Sequence, residues 1–321
     1  MKRYYIIFFI TLGWLPIDCF ANGCKIRLDE GIAHLIEHIV YHQLVKKFST
    51  LNKKLVSSNA YTSELYTRFE VASEKEITFV DVLNALNQIH FDVHSIVDAK
   101  EVCRIEQVRE KGNKYKIEIY KTLSELAYGI GNIRTPIGNP NNLSKEYIES
   151  VYKNFYMDKG ILFYQIVDDN ISYIKGNIKS SPGIRFHEEA FSNVGGSKTL
   201  YIKWRNDNFY VKVLLENEIT KILHAIIVDI CSKPIYLFHS NNTSLWIFAG
   251  NIDVMIVKKK LLMFLHENSL KINLQNLNNN PLYWIRKIAI HGNIDEFNKY
   301  IAMLEIDKYM YTNYIQEIRV I

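Results

Sequence analysis

The chain has 321 residues, of which 48% are hydrophobic and 23% are charged. This composition indicates a folded protein with at least one large core and excludes an intrinsically disordered chain. The 39 basic and 34 acidic residues give a net charge of +5, but they are mixed along the chain without a basic stripe, which argues against nucleic-acid binding.

The N-terminal segment has the pattern of a secretory signal peptide. Lys2 and Arg3 precede an apolar run, Tyr4 to Ile17, and the sequence Cys19-Phe20-Ala21 offers small residues for cleavage after Ala21. The alternative is an uncleaved anchor, but the run is shorter than the roughly 20 apolar residues that span a bilayer. We therefore predict that residues 1–21 are a signal peptide and that the protein is exported, periplasmic or secreted, in a bacterium.

Cleavage at that point would leave three cysteines, Cys24, Cys103 and Cys231. An exported compartment is oxidising, so one disulfide and one free thiol are compatible with the sequence, which leaves the pairing open. None of the three has the C-x-x-C spacing of a cysteine zinc site.

A metal-binding pattern follows on a predicted helix. Apolar residues recur with a helical period after Asp29, which is a suitable N-cap. His34 and His38 are four residues apart, so both rings leave one face of the helix and can share a tetrahedral zinc ion. Glu37 can reach the open side of that ion and take a proton from a bound water. This order is H-x-x-E-H; the alternative is a pair of surface histidines on an ordinary amphipathic helix.

Hydrophobic periodicity predicts the later elements in chain order. They are a helix over Asp98–Lys111, strands over Leu200–Trp204 and Phe209–Leu215, a helix over Glu218–Cys231, strands over Ile235–His239 and Ser244–Ala249, and a helix over Ile252–His266.

Four motifs resemble, in the same order, those of the pitrilysin/insulinase family of zinc metallopeptidases. They are Gly31-Ile-Ala-His-Leu-Ile-Glu-His38, Asn59-Ala-Tyr-Thr-Ser63, Ala127-Tyr-Gly129 with Thr135-Pro-Ile-Gly-Asn-Pro140, and Leu143-Ser-Lys-Glu146. The likeness extends from about Asn22 to Asp169. It implies a strand over Leu65–Val71, a helix over Tyr147–Phe155 and a strand over Gly160–Val167. It also implies an α+β fold in which a mixed sheet packs with helices. The catalytic domain would cover residues 22–185, and a shortened second domain of similar type, with a C-terminal tail, would cover residues 186–321.

The resemblance also implies a third zinc ligand. The family takes this ligand from a glutamate on a later helix, and matching the helix over Asp98–Lys111 to that pattern selects Glu106, with Glu110 as the alternative. The spacing from His38 is looser than in the family. The residue seven positions before Glu106, where the family carries a second acid, is Ala99.

Substrate contacts are likewise implied by the resemblance. In the family, the N-A-x-T stretch borders the site on a sheet edge where a peptide adds as an extra strand, so Asn59 and Ala60 would hold the substrate backbone. The alternative is a simple turn, since Ser57-Ser58-Asn59 is common turn chemistry. Tyr236 stands where family members carry the tyrosine of a substrate-binding Arg and Tyr pair, but the arginine has no counterpart here.

The sequence thus predicts a zinc-dependent endopeptidase with one Zn²⁺ per chain, which hydrolyses peptides or processes a small protein precursor. The alternative is a catalytically inactive pitrilysin-like subunit or peptide-binding scaffold that partners an active chain. Because the chain is shorter than a usual two-domain subunit of the family, the resemblance implies pairing as a homodimer or as a heterodimer with a related subunit. We expect no nucleic-acid partner and no stable membrane span.

Overall fold

The computed structural model describes residues 4–15, 19–21, 24–26, 28–128, 134–157, 161–167, 170–175, 199–205, 209–228, 235–239, 243–248, 252–267 and 314–320. The chain divides into two compact units. Unit 1 comprises Met1–Gly112 and Arg134–Pro182, and unit 2 comprises Asn113–Ile133 and Gly183–Ile321. Residues 113–133, which the sequence analysis placed in the first domain, therefore belong to the second unit.

The described elements are strands of 3 to 8 residues and α-helices of 8 to 20 residues. In the first part of the chain they are β1 (Tyr4–Ile10), β2 (Cys19–Ala21), β3 (Cys24–Ile26), α1 (Ile32–Thr50), β4 (Leu55–Thr62), β5 (Thr67–Ser73), α2 (Phe79–Leu86), α3 (Val93–Lys111), α4 (Lys114–Tyr128), α5 (Lys145–Tyr152), β6 (Leu162–Val167) and β7 (Asn170–Lys175). In the second part they are β8 (Thr199–Trp204), α6 (Phe209–Val228), β9 (Ile235–His239), β10 (Thr243–Phe248), α7 (Val254–Glu267) and β11 (Ile315–Val320).

Unit 1 is built on a sheet with the strand order β4-β5-β1-β6-β7, whose described strand pairs are all antiparallel, whereas a mixed sheet was expected. Phe8 of β1 pairs with Phe69 of β5 on one side and with Phe163 of β6 on the other. Alternate residues of β1, including Phe8, join the core that α1 also forms. The strand β4 lies at the edge of this sheet, and Thr62 at its end faces α1.

The predicted signal peptide supplies the central strand of this sheet. Residues Ile7 to Ile10 are 0% exposed, because both faces of β1 are covered. A strand of this kind has a continuous apolar sequence, which is also the pattern of a signal-peptide core. Cleavage after Ala21 would remove β1, so a chain cleaved there could not form this sheet as described. Export, which was predicted from this segment alone, stays a prediction.

Unit 2 repeats the strand order of unit 1. Its sheet has the order β9-β10-β8-β11, and the first four strands of the other sheet have the order β4-β5-β1-β6. In each unit the central strand comes first in the chain, a long helix follows, and a pair of antiparallel strands returns beside the central strand. The family resemblance implied a second domain of similar type, and the similarity is seen in the strand order. Tyr236 lies on β9, one of the two edge strands of the described sheet of unit 2.

The helix α6 corrects one predicted element. Phe209–Leu215 was expected to be a strand separate from the following helix, whereas both form a single helix that ends at Val228. The reason is a row of apolar residues at every fourth position, all of them at most 3% exposed: Val211, Leu215, Ile219, Leu223 and Ile227. A short apolar run cannot by itself distinguish a strand from a buried helix. None of the helices that the structure describes has the length and apolar character needed to cross a membrane.

Candidate metal centre

The helix α1 begins at a glycine that the local backbone requires. Gly31 is the N-cap and has a φ of 82°, a left-handed conformation that favours glycine. A Cβ atom at this position would lie 2.0 Å from the carbonyl oxygen of Ile137. The predicted N-cap, Asp29, lies two residues earlier, and its backbone N–H donates to the hydroxyl of Tyr147 instead. The start of the helix is therefore fixed by backbone packing and not by a capping side chain.

Three of the predicted site residues converge at α1. Nε2 of His38 lies 3.1 Å from Nε2 of His34, as expected for side chains one helical turn apart. The carboxylate of Glu106, on α3, approaches both rings, with Oε2 at 3.2 Å from Nε2 of His34 and 3.3 Å from Nε2 of His38. The sequence left Glu106 and Glu110 open as the third ligand, and Glu106 is the one whose carboxylate oxygen makes these contacts.

The three donor atoms have the spacing of ligands around one ion. In a tetrahedral zinc site with bonds of about 2.0 to 2.2 Å, neighbouring donor atoms lie about 3.3 to 3.6 Å apart. The observed separations of 3.1, 3.2 and 3.3 Å come within a few tenths of an ångström of that range. Two imidazoles and one carboxylate leave a fourth position open, which is the arrangement of a catalytic rather than a structural zinc site. The residues present therefore fit a divalent metal ion.

The electrostatics of the cluster suit a cation. Burial lowers the pKa of His34, but the carboxylates of Glu106, Glu37 and Glu110 outweigh this effect, so the pKa lies above its usual value. Hydrogen bonds from His34 and His38 hold the pKa of Glu106 far below its usual value. Several carboxylates thus lie near the two imidazoles. Their negative charge favours the protonated form of His34, and for the same reason it favours a metal cation bound at this place.

Glu37 lies beside the cluster, on the side of α1 that faces the sheet. It is only 5% exposed. The hydroxyl of Thr62 donates to Oε2 of Glu37 at 2.6 Å. A buried carboxylate needs such a partner, because an unpaired charge is costly in the interior. Because Glu37 directly precedes His38, its carboxylate lies near the three donor atoms. It bonds Thr62 and makes none of the short contacts that join those three atoms.

Cys103 is a further potential donor, to which the sequence analysis gave no role at the metal centre. Its sulfur and one nitrogen from each of His34 and His38 all lie within 4.8 Å of one another, and the residue is fully buried. Burial, together with the charges of Glu106 and Glu37, raises the pKa of the thiol to about 12. Cys103 precedes Glu106 by three residues on α3, a spacing that places both on one helix face and could have signalled it from the sequence.

The second ring nitrogen of His34 has no partner among the described residues. Nδ1 is buried and makes no hydrogen bond there. Ligating histidines usually donate this second N–H to a carboxylate or carbonyl that orients the ring. In His34 the orientation comes from packing and from the contacts of Nε2.

The predicted substrate residues lie in a strand and not in a turn. Asn59 and Ala60 belong to β4, where they pair with Glu70 and Phe69 of β5. Because β4 is an edge strand, its other side has no strand partner in the described sheet. Ala60 is two residues, or about 7 Å, before Thr62 along the strand. Tyr236 belongs to unit 2, and its role in substrate binding stays a prediction.

Some sequence predictions fall outside the described residues. Gly129 of the third motif, Gly160 and Cys231 are among them, as is the side chain of Cys24. Of the predicted cysteine pairing, the structure shows only that Cys103 is a free thiol.

The comparisons with known proteins agree on the fold. No protein-family model and no curated protein matches the sequence. The structure is similar to that of an M16-like peptidase from Alicyclobacillus acidocaldarius, with a TM-score of 0.52 and 12% identity over 94% of this chain and 82% of that one. It is also similar to a peptidase M16 inactive domain from Pseudomonas fluorescens, with a TM-score of 0.50 and 11% identity over 97% and 84% of the two chains.

Pitrilysin is a third similar structure, with a TM-score of 0.50, 12% identity and coverage of 97% of this chain and 37% of the pitrilysin chain. The chain thus spans little more than a third of pitrilysin. At such low identity these likenesses establish the fold alone. Together with the antiparallel sheets and packed helices, they confirm the predicted pitrilysin-like α+β fold.

Proposed function

We propose that this chain is a zinc-dependent endopeptidase in which His34, His38 and Glu106 hold the metal. The observation that carries the proposal is the convergence of three donor atoms, 3.1 to 3.3 Å apart, from two helices that are distant in sequence. Zinc bound there would polarise a peptide carbonyl and lower the pKa of a bound water.

Glu37 is the proposed general base and acid. Its carboxylate would take a proton from the attacking water and give it to the leaving amine. Thr62 holds the carboxylate in place through the 2.6 Å hydrogen bond to Oε2. The same contact brings the end of β4 beside Glu37, so a peptide lying along this edge strand would run past the base.

The proposed substrate is therefore an extended peptide. An edge strand presents unpaired backbone groups, to which a peptide can add as a further strand. The residues Asn59 and Ala60 would supply such groups within about three residues of Thr62. Neither the peptide sequence nor the partner chain follows from this geometry, so pairing with a second copy or a related subunit stays a prediction.

A catalytically inactive peptide-binding subunit is the second candidate function. It is favoured by one observation, that a similar structure is described as an inactive M16 domain. The two candidates share the metal centre and differ in turnover, so zinc content alone does not separate them.

The test combines zinc content with hydrolysis of an unstructured peptide library by the purified chain. Wild type should bind about one zinc and cleave peptides, and a chelator should abolish cleavage until zinc is restored. Glu37→Gln should keep the zinc and lose about 100-fold or more in kcat, because general acid–base catalysis contributes at least that much. His34→Ala should lose the zinc.

The matched control is Glu101→Gln, the same change at an exposed position of α3 where the carboxylate pairs with Arg104. It should leave kcat unchanged. Equal turnover by wild type and Glu37→Gln contradicts the peptidase proposal. Stoichiometric zinc without any turnover favours the inactive subunit.

A further inference from the structure

The loop Arg134–Leu143, here called the linking loop, contains the Thr135-Pro136-Ile137-Gly138 motif, to which the proposed chemistry gives no role. This loop contacts both of the helices that carry the metal ligands. Its contacts fall into two groups, one with the start of α1 and one with α3.

The contacts with α1 are close and involve the backbone. The backbone N–H and the hydroxyl of Thr135 both donate to Oε1 of Glu30, at 2.5 and 3.2 Å. Gly138 has a φ of 54°, and a Cβ atom there would lie 2.5 Å from the carbonyl carbon of Glu30. A Cβ atom on Gly31 would likewise lie 2.0 Å from the carbonyl oxygen of Ile137. The linking loop therefore holds the residues just before α1, and His34 lies in the first turn of that helix.

The contacts with α3 are hydrogen bonds to backbone carbonyls of the loop. Nε2 of Gln107 donates to the carbonyl of Gly138 at 2.8 Å. Nζ of Lys100 donates to the carbonyls of Leu143 and Asn141, at 2.9 and 3.3 Å. Gly138 thus touches Glu30, before α1, and Gln107, on α3, at the same point.

Apolar packing does little to hold the part of α3 that carries the third ligand. The buried residues of α3 are Ile96, Ala99 and Cys103, and no residue from 104 to 111 is buried. Val102, Ile105 and Val108 are exposed. The rotation of this half of the helix must therefore be set largely by polar contacts.

Glu106 and Gln107 together can set that rotation. Adjacent side chains on a helix point about 100° apart. Glu106 faces the two histidine rings, and Gln107 faces the linking loop. Because contacts hold these two side chains in directions about 100° apart, the helix has little freedom to rotate about its axis.

We propose that Gln107 is a positioning residue for the metal centre, which holds Glu106 at bonding distance from His34 and His38 through the linking loop. The inference rests on the proposed function, because it assumes that these three residues bind zinc. It assigns the Thr135–Gly138 motif a role as the brace between the two ligand-bearing helices.

The test is the zinc affinity of the metal-free, full-length chain, measured by competition with a chromophoric chelator. Gln107→Met keeps the size of the side chain and removes the donor. It should raise the zinc dissociation constant about tenfold or more, as loss of outer partners of a metal site does. Co²⁺ bound to this variant should show weaker visible absorption bands, because the coordination loses its tetrahedral order.

The matched control is Arg104→Met, which removes an exposed polar side chain that pairs with Glu101 on the same helix. Its zinc affinity and Co²⁺ spectrum should equal those of wild type. Thermal unfolding of the metal-free variants checks that Gln107→Met is folded. If it is not, Lys100→Met, which loses the other contacts with the loop, should weaken zinc binding in the same way.

Two results overturn the inference, and they are distinguishable. If wild type binds zinc tightly and Gln107→Met binds it equally well, the proposed positioning role of Gln107 is wrong, whereas the proposed metal centre is unaffected. If wild type itself binds no zinc, the proposed function fails and the inference fails with it.

Discussion

Thr62, the last residue of β4, donates its hydroxyl proton to Oε2 of the buried Glu37 at 2.6 Å. Thr67 lies 3.2 Å from the same hydroxyl and donates its own proton to the carbonyl of Leu12 at 2.7 Å. A carboxylate accepts hydrogen bonds, so the contact with Glu37 uses the proton of Thr62, and the contact between the two hydroxyls has no proton of its own. The edge strand and the proposed base are thereby joined by one hydrogen bond.

We predict that Thr62→Val lowers kcat for peptide hydrolysis by about tenfold to a hundredfold, because a misplaced general base loses catalysis steeply with distance. KM should change little, since the backbone of β4 is kept. Thr62→Ser retains the hydroxyl and should recover most of the rate. Steady-state kinetics on the three proteins decides this, and a Thr62→Val enzyme with wild-type kcat would show that the contact is only structural.

Cys103 lies within 4.8 Å of the histidine nitrogens, but the carboxylate of Glu106 is closer to them, at 3.2 and 3.3 Å. We predict that the thiol is a neighbour of the metal and not a ligand, which keeps the fourth position open. The absorption spectrum of the Co²⁺-substituted protein should therefore lack a thiolate-to-metal charge-transfer band in the near-ultraviolet region. Cys103→Ala should bind zinc as wild type does. A thiolate band that disappears in Cys103→Ala would instead indicate a closed site.

The helix α6 has, in the topology of unit 2, the place that α1 has in unit 1, and it carries a buried ion pair. Lys212 and Glu216, also four residues apart, are 2% and 1% exposed with their charged groups 3.7 Å apart. Glu216 accepts a hydrogen bond from Ser244, and Ser244 accepts one from the indole of Trp204. Burial lowers the pKa of Lys212, and Glu216 opposes that shift.

We predict that Lys212→Met lowers the free energy of unfolding by about 3 to 5 kcal/mol, because it leaves a buried carboxylate without its partner charge. Replacing both residues, by Lys212→Met with Glu216→Leu, should cost less than the single change. Urea unfolding of the three proteins measures this. Exposed Lys221→Met, which breaks the pair with Glu218 on the same helix, is the control and should change stability little.

We also predict that the folded protein retains the segment Tyr4–Ile10, because β1 pairs with β5 and β6 at the centre of the sheet. Intact-mass spectrometry of the chain purified from its native compartment should give a mass that includes this segment. A chain starting at Asn22 with a folded metal centre would contradict the position of β1.

The local part of the candidate site could be predicted from the sequence, whereas its distant part depended on the fold. His34, Glu37 and His38 follow from helical spacing alone. Glu106 is 68 residues beyond His38, and helical periodicity could not separate it from Glu110. Its selection came from family resemblance, and the fold then gave the contact with both rings.

Other features could not be predicted because they arise from packing between distant segments. The need for glycine at position 31 comes from the carbonyl of Ile137, which the chain brings there only when it has folded. The apolar run of β1 has the composition of a signal peptide, and only the sheet shows it as a central strand. The role of Thr62 was likewise hidden, since its partner Glu37 lies on another element.

We propose that three side chains from α1 and α3 share one zinc ion, and anomalous diffraction at the zinc edge, from crystals of the zinc-loaded protein, can locate that ion. We expect one peak within about 2.0 to 2.2 Å of Nε2 of His34, Nε2 of His38 and a carboxylate oxygen of Glu106. A zinc-loaded crystal with no peak between these three residues, or with its peak on other ligands, would show that they do not share a zinc ion.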